Sequence, residues 1–171
     1  MKLSFCGIVL RRIVHEDIEM LRSWRNDKKI AGFMFYQEYI TSEMQEKWFQ
    51  SLSSSDYYFI IEVDRSPLGL IHLAKDKEEV DCAHAGLFIY DESYWGSQIP
   101  VLASLCLLRF AFEQLLLKQV KAKVRKENTI AWKYNERLGF CKISDELQQL
   151  NVISYKSRLH KIISQTEKTF S

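Results

Sequence analysis

The segment from Val101 to Leu117 is the longest apolar stretch of the chain, and it limits what the chain can fold into. Arg109, Glu113 and Gln114 interrupt it. These polar side chains disfavour a membrane span, whereas a helix that is apolar on nearly every side must be covered by other elements. The segment therefore predicts a buried helix inside a soluble protein.

The chain is large enough to cover such a helix with one domain. It has 171 residues, of which 47% are hydrophobic and 27% charged, and its six glycines and two prolines form no linker. A chain of this length buries roughly two-thirds of the surface of its unfolded state. We therefore expect a single domain over residues 1–171.

Charge and cysteine usage exclude several functional classes. The 24 basic and 22 acidic residues give a net charge of +2 without a long block of like charge, so we expect no nucleic-acid partner. The short apolar amino terminus has no signal-peptide cleavage pattern, which predicts a cytoplasmic protein away from the membrane. The cysteines lack metal-ligand spacing and are predicted to be buried thiols, with no metal site and no disulfides: Cys6, Cys82, Cys106 and Cys141.

Hydrophobic periodicity predicts a mixed α/β order of elements. The predicted strands are Leu3–Leu10, Tyr57–Val63, Leu70–Leu73, Ala83–Tyr90, Gln119–Arg125 and Val152–Tyr155. The predicted helices are His15–Lys29, Met44–Leu52, Pro100–Leu117 and Thr129–Leu138, with Gly139 as the helix stop and a poorly ordered tail beyond Ser164.

The segment Ile89–Pro100 joins a strand to the apolar helix through a short loop that contains Gly96. The first turn of a helix has backbone N–H groups without internal acceptors and carries the positive end of the helix dipole. Pro100 suits the first helical position, where its missing N–H costs no hydrogen bond. The junction therefore predicts an anion site that could take a pyrophosphate.

A second segment, Lys126–Phe140, carries a family resemblance. Its residues Asn128, Ala131, Glu136, Leu138, Gly139 and Phe140 resemble the carboxy-terminal signature of GNAT acetyltransferases, and Phe110–Glu113 looks like their cofactor helix. The resemblance covers about residues 8 to 140. It implies an α/β (α+β) GNAT fold, with a central, mostly antiparallel sheet split in a V and flanked by about four helices.

The amino-terminal half is similar to one branch of that family. Trp24-Arg25-Asn26-Asp27 resembles ribosomal-protein N-terminal acetyltransferases and the nucleotide-amino-sugar N-acetyltransferases of the pseudaminic acid pathway. The resemblance implies an acyl-CoA-dependent N-acyltransferase that moves an acetyl group from acetyl-CoA to a small-molecule amine. A nucleotide-linked amino sugar is the preferred acceptor, and a protein or peptide amino terminus or a small polyamine is the alternative.

The resemblance also assigns residues to the cofactor and the acceptor. Trp24, Arg25, Phe33, Met34 and Tyr36 would line the acceptor pocket, although the same aromatic residues could simply pack helices. The cofactor would contact Phe88, Ile89 and Tyr90 through the strand backbone, and then Trp95, Gly96, Ser97, Gln98, Ile99, Pro100, Val101, Asn128 and Asn135.

The catalytic groups depart from the family pattern. Where relatives often carry a glutamate, two residues before Gly86, this chain has His84, which we expect to be the general base. Many relatives carry a tyrosine that protonates the leaving thiolate, and at that position this chain has Asn135, preceded by Tyr134. Tyr134 could still reach the sulfur if the start of the helix is shifted, Asn135 is expected to contact the cofactor, and the general acid is left unassigned. His72 and Glu62 are the fallback bases, and His15 and His160 are assigned no role.

Two further possibilities remain open at this level. The loop has lost the further glycines of the family pattern, so a non-catalytic CoA-binding or scaffold domain is the rival to an enzyme. The exposed edges of the predicted sheet could also pair two copies into a homodimer.

Overall fold

The computed structural model describes residues 1–159. Eight strands form one sheet in the order β1-β2-β3-β4-β5-β6-β8-β7, and β5 and β6 are parallel while the other neighbours are antiparallel. The strands are β1 Lys2–Phe5, β2 Ile8–Arg12, β3 Asp56–Val63, β4 Ser66–Lys75, β5 Cys82–Ile89, β6 Gln119–Lys123, β7 Cys141–Ser144 and β8 Leu147–Asn151.

The helices cover both faces of the sheet. They are α1 Ile18–Asn26, α2 Lys28–Ala31, α3 Ser42–Ser51, α4 Ile99–Arg109 and α5 Thr129–Leu138, and residues 152–159 are also helical. The predicted mixed α/β fold is confirmed, with these six helices within residues 1–159 in place of about four.

The apolar segment is buried as predicted, but only its first part is a regular α-helix. After α4, residues Phe110–Gln114 form a π-helical turn in which Leu115 N–H bonds Phe110 O at 3.0 Å. Most of α4 and this turn lies in the main core, together with strand residues from one face of the sheet. The opposite face carries a smaller core around Leu21, Trp24 and Ile60 beneath α1 and α3.

The two ends of the chain differ from prediction. Leu3–Leu10 is two strands, because Cys6 and Gly7 adopt positive φ angles of 47° and 79° and reverse the chain. The predicted strand Val152–Tyr155 is wrong. The strand is β8, and Asn151 Oδ1 then accepts the N–H of Ser154 at 2.9 Å, which caps the helical turns that follow.

Other predictions for the same regions need correction or lie outside the structure. The hairpin β7–β8 was not predicted. Cys82 and Cys106 are buried as expected, whereas Cys6 and Cys141 are exposed. The tail beyond Ser164 and His160 lie outside the described residues.

The sheet is split between β5 and β6, which pair at only three positions. Cys82 faces Gln119, Ala83 faces Val120 and His84 faces Lys121. Beyond this point β5 continues to Ile89 beside β4, without further partners on β6. The two strands therefore diverge into a V whose apex lies at His84, as the family resemblance implied.

Within residues 1–159, no helix combines the length and apolar character needed to cross a membrane. In the same part of the chain, no three side chains of His, Cys, Asp or Glu are grouped closely enough to hold a metal ion.

Candidate active site

The apex of the V carries the predicted base. His84 is the last residue of β5 that pairs with β6, and its side chain is 31% exposed. Its Nε2 lies 2.8 Å from Asp76 Oδ2, in the turn between β4 and β5. The structure thus places a half-exposed imidazole, held by a carboxylate, where the two strands separate.

The backbone of β5 provides one wall of the cleft. Tyr90 N–H bonds Leu68 O at 2.7 Å, so Tyr90, and by alternation Phe88, direct their backbone groups toward β4. Leu87 and Ile89 direct theirs toward the cleft. Of the three strand residues assigned to the cofactor, Ile89 alone can offer its backbone there, and Leu87 was not predicted.

Trp95 occupies part of this wall. Its indole Nε1–H donates to the carbonyl of Ile89 at 2.9 Å, and the side chain is otherwise 46% exposed. A strand-like ligand arm would use the same carbonyl as an acceptor. The indole therefore competes with such a ligand for Ile89 O.

The loop that follows has the geometry of an anion site. Gly96 has a φ of +77°, a left-handed conformation that favours glycine. Ile99 N–H bonds Ser97 Oγ at 3.2 Å. No partner among residues 1–159 accepts from the N–H groups of Gly96, Gln98 and Val101, which are near the amino terminus of α4. These three donors suit phosphate oxygens.

Tyr134 is bound at the base of α4 and does not point freely into the cleft. Its hydroxyl donates to Pro100 O at 2.7 Å and lies 2.7 Å from Ser104 Oγ. Burial raises the pKa of Tyr134 well above its usual value. The tyrosine therefore joins α5 to the first turn of α4, and its proton is already engaged.

Asn135 and Asn128 also make specific internal contacts. Asn135 Nδ2 donates to Oε1 of the fully buried Gln148 on β8 at 2.9 Å. Asn128 Oδ1 accepts the N–H of Ala131 at 3.1 Å and caps α5. Both residues hold α5 in place, so any cofactor contact would be additional to these roles.

The fallback bases fit less well. Glu62 accepts from Arg11 Nε at 2.8 Å and forms an ion pair. His72 on β4 covers Gly86 and stacks on Tyr58, with ring centroids 4.9 Å apart. Burial, aided by the charge of Arg25, lowers the pKa of His72 to about 4. A neutral imidazole with so low a pKa is a weak base at pH 7.

Two of the predicted acceptor residues lie in α1. Trp24 is buried and stacks on Tyr90 with centroids 5.1 Å apart, which supports its packing role. Arg25 is different, because its Nε is buried without a partner and no ion pair reaches its guanidinium within the described chain. Burial lowers the pKa of Arg25, yet an arginine remains charged.

The other predicted acceptor residues lie in the loop between α2 and α3. Phe33 and Tyr36 are 47% and 44% exposed, and Met34 is half-buried. Arg125 Nη1, just after β6, donates to Gly32 O at 3.0 Å, while Asn26 exchanges two hydrogen bonds with the backbone of Ile40. The loop, residues 32–40, is thus fixed at both ends.

Helix α2 and this loop together connect the two arms of the V. Asp27, which begins α2, accepts from the hydroxyl of Tyr90 at the end of β5, at 3.2 Å. The loop then reaches Arg125 at the end of β6. Beside it lies an open depression of about 480 Å³ lined by Phe35, Tyr36, Gln37, Glu38, Arg125, Glu127 and Glu146.

Several contacts at the site were not foreseen from the sequence. Asp76, Ser104 and Gln148 were not candidates, although each bonds a residue that was. They come from other strands, helices or turns, so no local spacing identifies them. Phe35 and Tyr39, which are exposed in the same loop as Phe33, could have been found by extending the aromatic pattern.

Comparison with known proteins identifies the family of the chain. A family model for the Acetyltransferase (GNAT) domain matches residues 8–141. No curated protein sequence gives a significant match. The match ends at Cys141, the first residue of β7, so the rest of β7 and all of β8 lie outside it.

Solved structures share the fold at low sequence identity. FdhC, described as a nucleotide-linked sugar GNAT, superposes with a TM-score of 0.78 and 21% identity over 95% of this chain and 97% of that chain. Spermidine N-acetyltransferase from Vibrio cholerae, solved with CoA and spermine, gives 0.77 and 17% over 87% and 98%. Aminoglycoside acetyltransferase AAC(6')-Ib with coenzyme A gives 0.74 and 18% over 88% and 98%.

Proposed function

The chain belongs to the GNAT acetyltransferase family, and from this premise we propose that it transfers an acetyl group from acetyl-CoA to the amine of a nucleotide-linked amino sugar. Family membership makes it an acyl-CoA-dependent N-acyltransferase. The observation that carries the proposal is the split between β5 and β6, which has a candidate base at its apex and an anion site at its open end.

The described residues fit acetyl-CoA as a substrate. Its pantetheine arm would lie along Leu87 and Ile89, and its pyrophosphate would accept from the N–H groups of Gly96, Gln98 and Val101. Lys29 reaches this loop from α2 but pairs with Glu92 at 3.3 Å. Phosphate binding would therefore depend on backbone donors and the helix dipole more than on side-chain cations.

The chemistry needs one proton removed and one supplied. His84 would take a proton from the acceptor ammonium, and the neutral nitrogen would attack the thioester carbonyl. As the new C–N bond forms and the C–S bond breaks, the nitrogen gives up a second proton and keeps one as the amide N–H, while the thiolate leaving group gains one proton to become the free thiol. Because Tyr134 and Asn135 Nδ2 are engaged elsewhere, we assign no side chain as the acid and expect water to deliver that proton.

Arg25 supports an acceptor with an anionic group. A half-buried guanidinium with no ion pair among residues 1–159 is costly unless a ligand supplies the counter-charge. The phosphates of a nucleotide-linked sugar would do so, and the exposed rings of Phe33 and Tyr36 could stack on a sugar or base. The fold similarity to FdhC is consistent with this class.

A cationic amine is the second candidate because the depression beside the loop is acidic. Glu38, Glu127 and Glu146 line it together with Arg125 as the only cation among the lining residues. Carboxylates attract ammonium groups, which favours a polyamine or a basic peptide amino terminus there. Spermidine N-acetyltransferase from Vibrio cholerae shares the fold.

Two measurements test the proposal. Calorimetry with acetyl-CoA asks whether the altered loop binds, and undetectable binding at millimolar concentration would leave only the scaffold alternative. A free-thiol assay with nucleotide-linked amino sugars, polyamines and peptides then ranks the acceptors. Faster turnover of a polyamine than of every anionic acceptor would reject the amino-sugar assignment.

The role of His84 is tested by His84→Ala. We expect turnover to fall by about 100-fold or more, because a general base contributes 10²- to 10⁴-fold. Acetyl-CoA affinity should stay close to that of the original protein, since the base acts on the acceptor. Unchanged turnover would remove His84 from the mechanism.

A further inference from the structure

His84 is held by a carboxylate whose own orientation is fixed. Asp76 Oδ1 accepts two backbone N–H groups of its turn, from Glu78 at 2.8 Å and Glu79 at 3.1 Å. Asp76 Oδ2 faces His84 Nε2 at 2.8 Å. The two oxygens therefore have separate partners, and the second is presented to the imidazole in a fixed direction.

The surroundings keep this carboxylate ionised. The two backbone hydrogen bonds are the main reason that the pKa of Asp76 lies well below its usual value, with smaller contributions from His84 and Lys121. Lys121 Nζ lies 3.6 Å from Asp76 Oδ2 and also pairs with Glu79. An ionised carboxylate only accepts hydrogen bonds, so the nitrogen that faces it must carry a proton.

From this geometry we propose that Asp76 is a positioning residue that holds His84 as the Nε2–H tautomer and leaves the Nδ1 lone pair to take the proton of the acceptor amine. The inference rests on His84 being the base of the proposed transfer. Nδ1 has no hydrogen-bond partner among the described residues, so the lone pair is available at the apex of the V. After proton transfer, Asp76 would stabilise the imidazolium, which returns the proton to solvent.

The substitution Asp76→Asn makes a specific test because the new amide has little choice of orientation. Its oxygen must replace Oδ1 to accept from Glu78 and Glu79, so its NH₂ group replaces Oδ2 and donates to His84 Nε2. The imidazole is then forced into the Nδ1–H tautomer and loses the lone pair that the reaction needs. The same logic makes the tautomer critical in triads of Ser, His and Asp.

Glu79→Gln is the matched control. Glu79 lies in the same turn and contacts Lys121 and Gln119, but its side chain does not contact His84. Both substitutions remove one negative charge near Lys121. An effect caused only by local charge or by loosening of the turn would appear in both variants, whereas a tautomer effect would appear in Asp76→Asn alone.

The experiment combines imidazole ¹⁵N NMR with steady-state kinetics on the full-length protein. At a pH well above the titration range of free imidazole, we expect His84 to be Nε2–H in the original protein and in Glu79→Gln, and Nδ1–H in Asp76→Asn. We expect kcat to fall by about 100-fold in Asp76→Asn, with acceptor KM and acetyl-CoA Kd nearly unchanged.

The outcomes separate this inference from the proposed function. An Nδ1–H tautomer in the original protein would overturn the role of Asp76 whether or not the variants fold. Equal losses of kcat in both variants would also overturn it. If the predicted tautomers are found but no amine is acetylated, the positioning of His84 stands and the proposed acetyl transfer fails.

Discussion

At the scale of single residues, Arg25 combines an energetic cost with a candidate function. Its buried Nε has no partner among residues 1–159, and the charge also disfavours protonation of nearby His72. A fold selected for stability alone would place an apolar side chain there. We therefore interpret Arg25 as a residue that serves ligand binding rather than the stability of the fold.

Substitution of Arg25 by Met tests whether this residue serves binding or stability. We expect the melting temperature to stay level or rise, because a half-buried unpaired charge is replaced by an apolar side chain of similar length. The KM for an anionic acceptor should increase about tenfold to a hundredfold, since hydrogen bonds to charged groups are lost. Arg109→Met is the control, because Arg109 at the carboxyl end of α4 is paired with Glu113. A lower melting temperature with unchanged KM would show a purely structural role.

Trp95 gives a second prediction at this scale. Substitution by Phe removes the hydrogen bond to Ile89 O that competes with the pantetheine arm. We expect acetyl-CoA to bind about two- to tenfold more tightly, the range of one net hydrogen bond. Calorimetry measures this, with Trp132→Phe as the control, because Trp132 donates to Arg125 O on the other arm of the V. Weaker binding in Trp95→Phe would mean that the indole contacts the cofactor favourably.

At the scale of elements, the strand–loop–helix unit around Gly96 and the end of α5 at Gly139 invite comparison. Both glycines have positive φ angles, of 77° and 101°. A Cβ on Gly96 would meet open space, whereas a Cβ on Gly139 would lie 2.9 Å from Arg158 Cγ and 3.3 Å from Leu150 Cδ1. At both positions the left-handed backbone would strain any residue other than glycine, and the two positions differ in crowding.

Alanine at each position should separate binding from stability. Each substitution should cost about 1 kcal/mol of unfolding free energy through its left-handed backbone, and Gly139→Ala should cost more because of crowding. Gly96→Ala alone should weaken acetyl-CoA binding, several-fold, because it shifts N–H donors of the anion site. Urea unfolding and calorimetry measure the two effects. Equal loss of affinity in both variants would contradict an anion site at Gly96.

The elements also show how far sequence reasoning reaches. Helix α5 was predicted with its bounds, with Gly139 as its stop, and the structure adds Asn128 as its cap; both end signals are local. Strand β8 was missed because Gln148, Gln149 and Asn151 make its sequence polar. Gln148 is nevertheless fully buried, and its side-chain amide is satisfied by hydrogen bonds to α5. The contact between His84 and Asp76 could not be predicted from sequence, because it depends on how the turn between β4 and β5 folds back.

At the scale of the whole molecule, His72 links stability to pH. Burial is the main reason that its pKa falls from an ordinary 6.5 to about 4 in the folded chain. Protons therefore bind the unfolded state more strongly between these values. The contribution of His72 to stability is fully present above about pH 6.5, and it is lost as the pH falls toward 4.

Substitution of His72 by Gln should flatten that part of the stability curve. From pH 7 to pH 4 the original protein should lose up to about 3 kcal/mol through this residue, an upper limit set by the size of the shift. The variant should lose less over the same interval. Urea unfolding at several pH values measures the difference, with His15→Gln as the control because His15 is exposed. Parallel curves would show that His72 does not control acid sensitivity.

The short pairing between β5 and β6 bears on how the molecule responds to its substrate. Strands β5 and β6 are matched at only three residue pairs, and Asp27 together with loop 32–40 adds a bridge on one face. A ligand arm laid between the strands would act as a removable ninth strand that fastens the arms together. Acetyl-CoA would then slow amide hydrogen exchange in β6 and β8 as well as in the loop it contacts, so that the substrate completes the sheet on which it reacts.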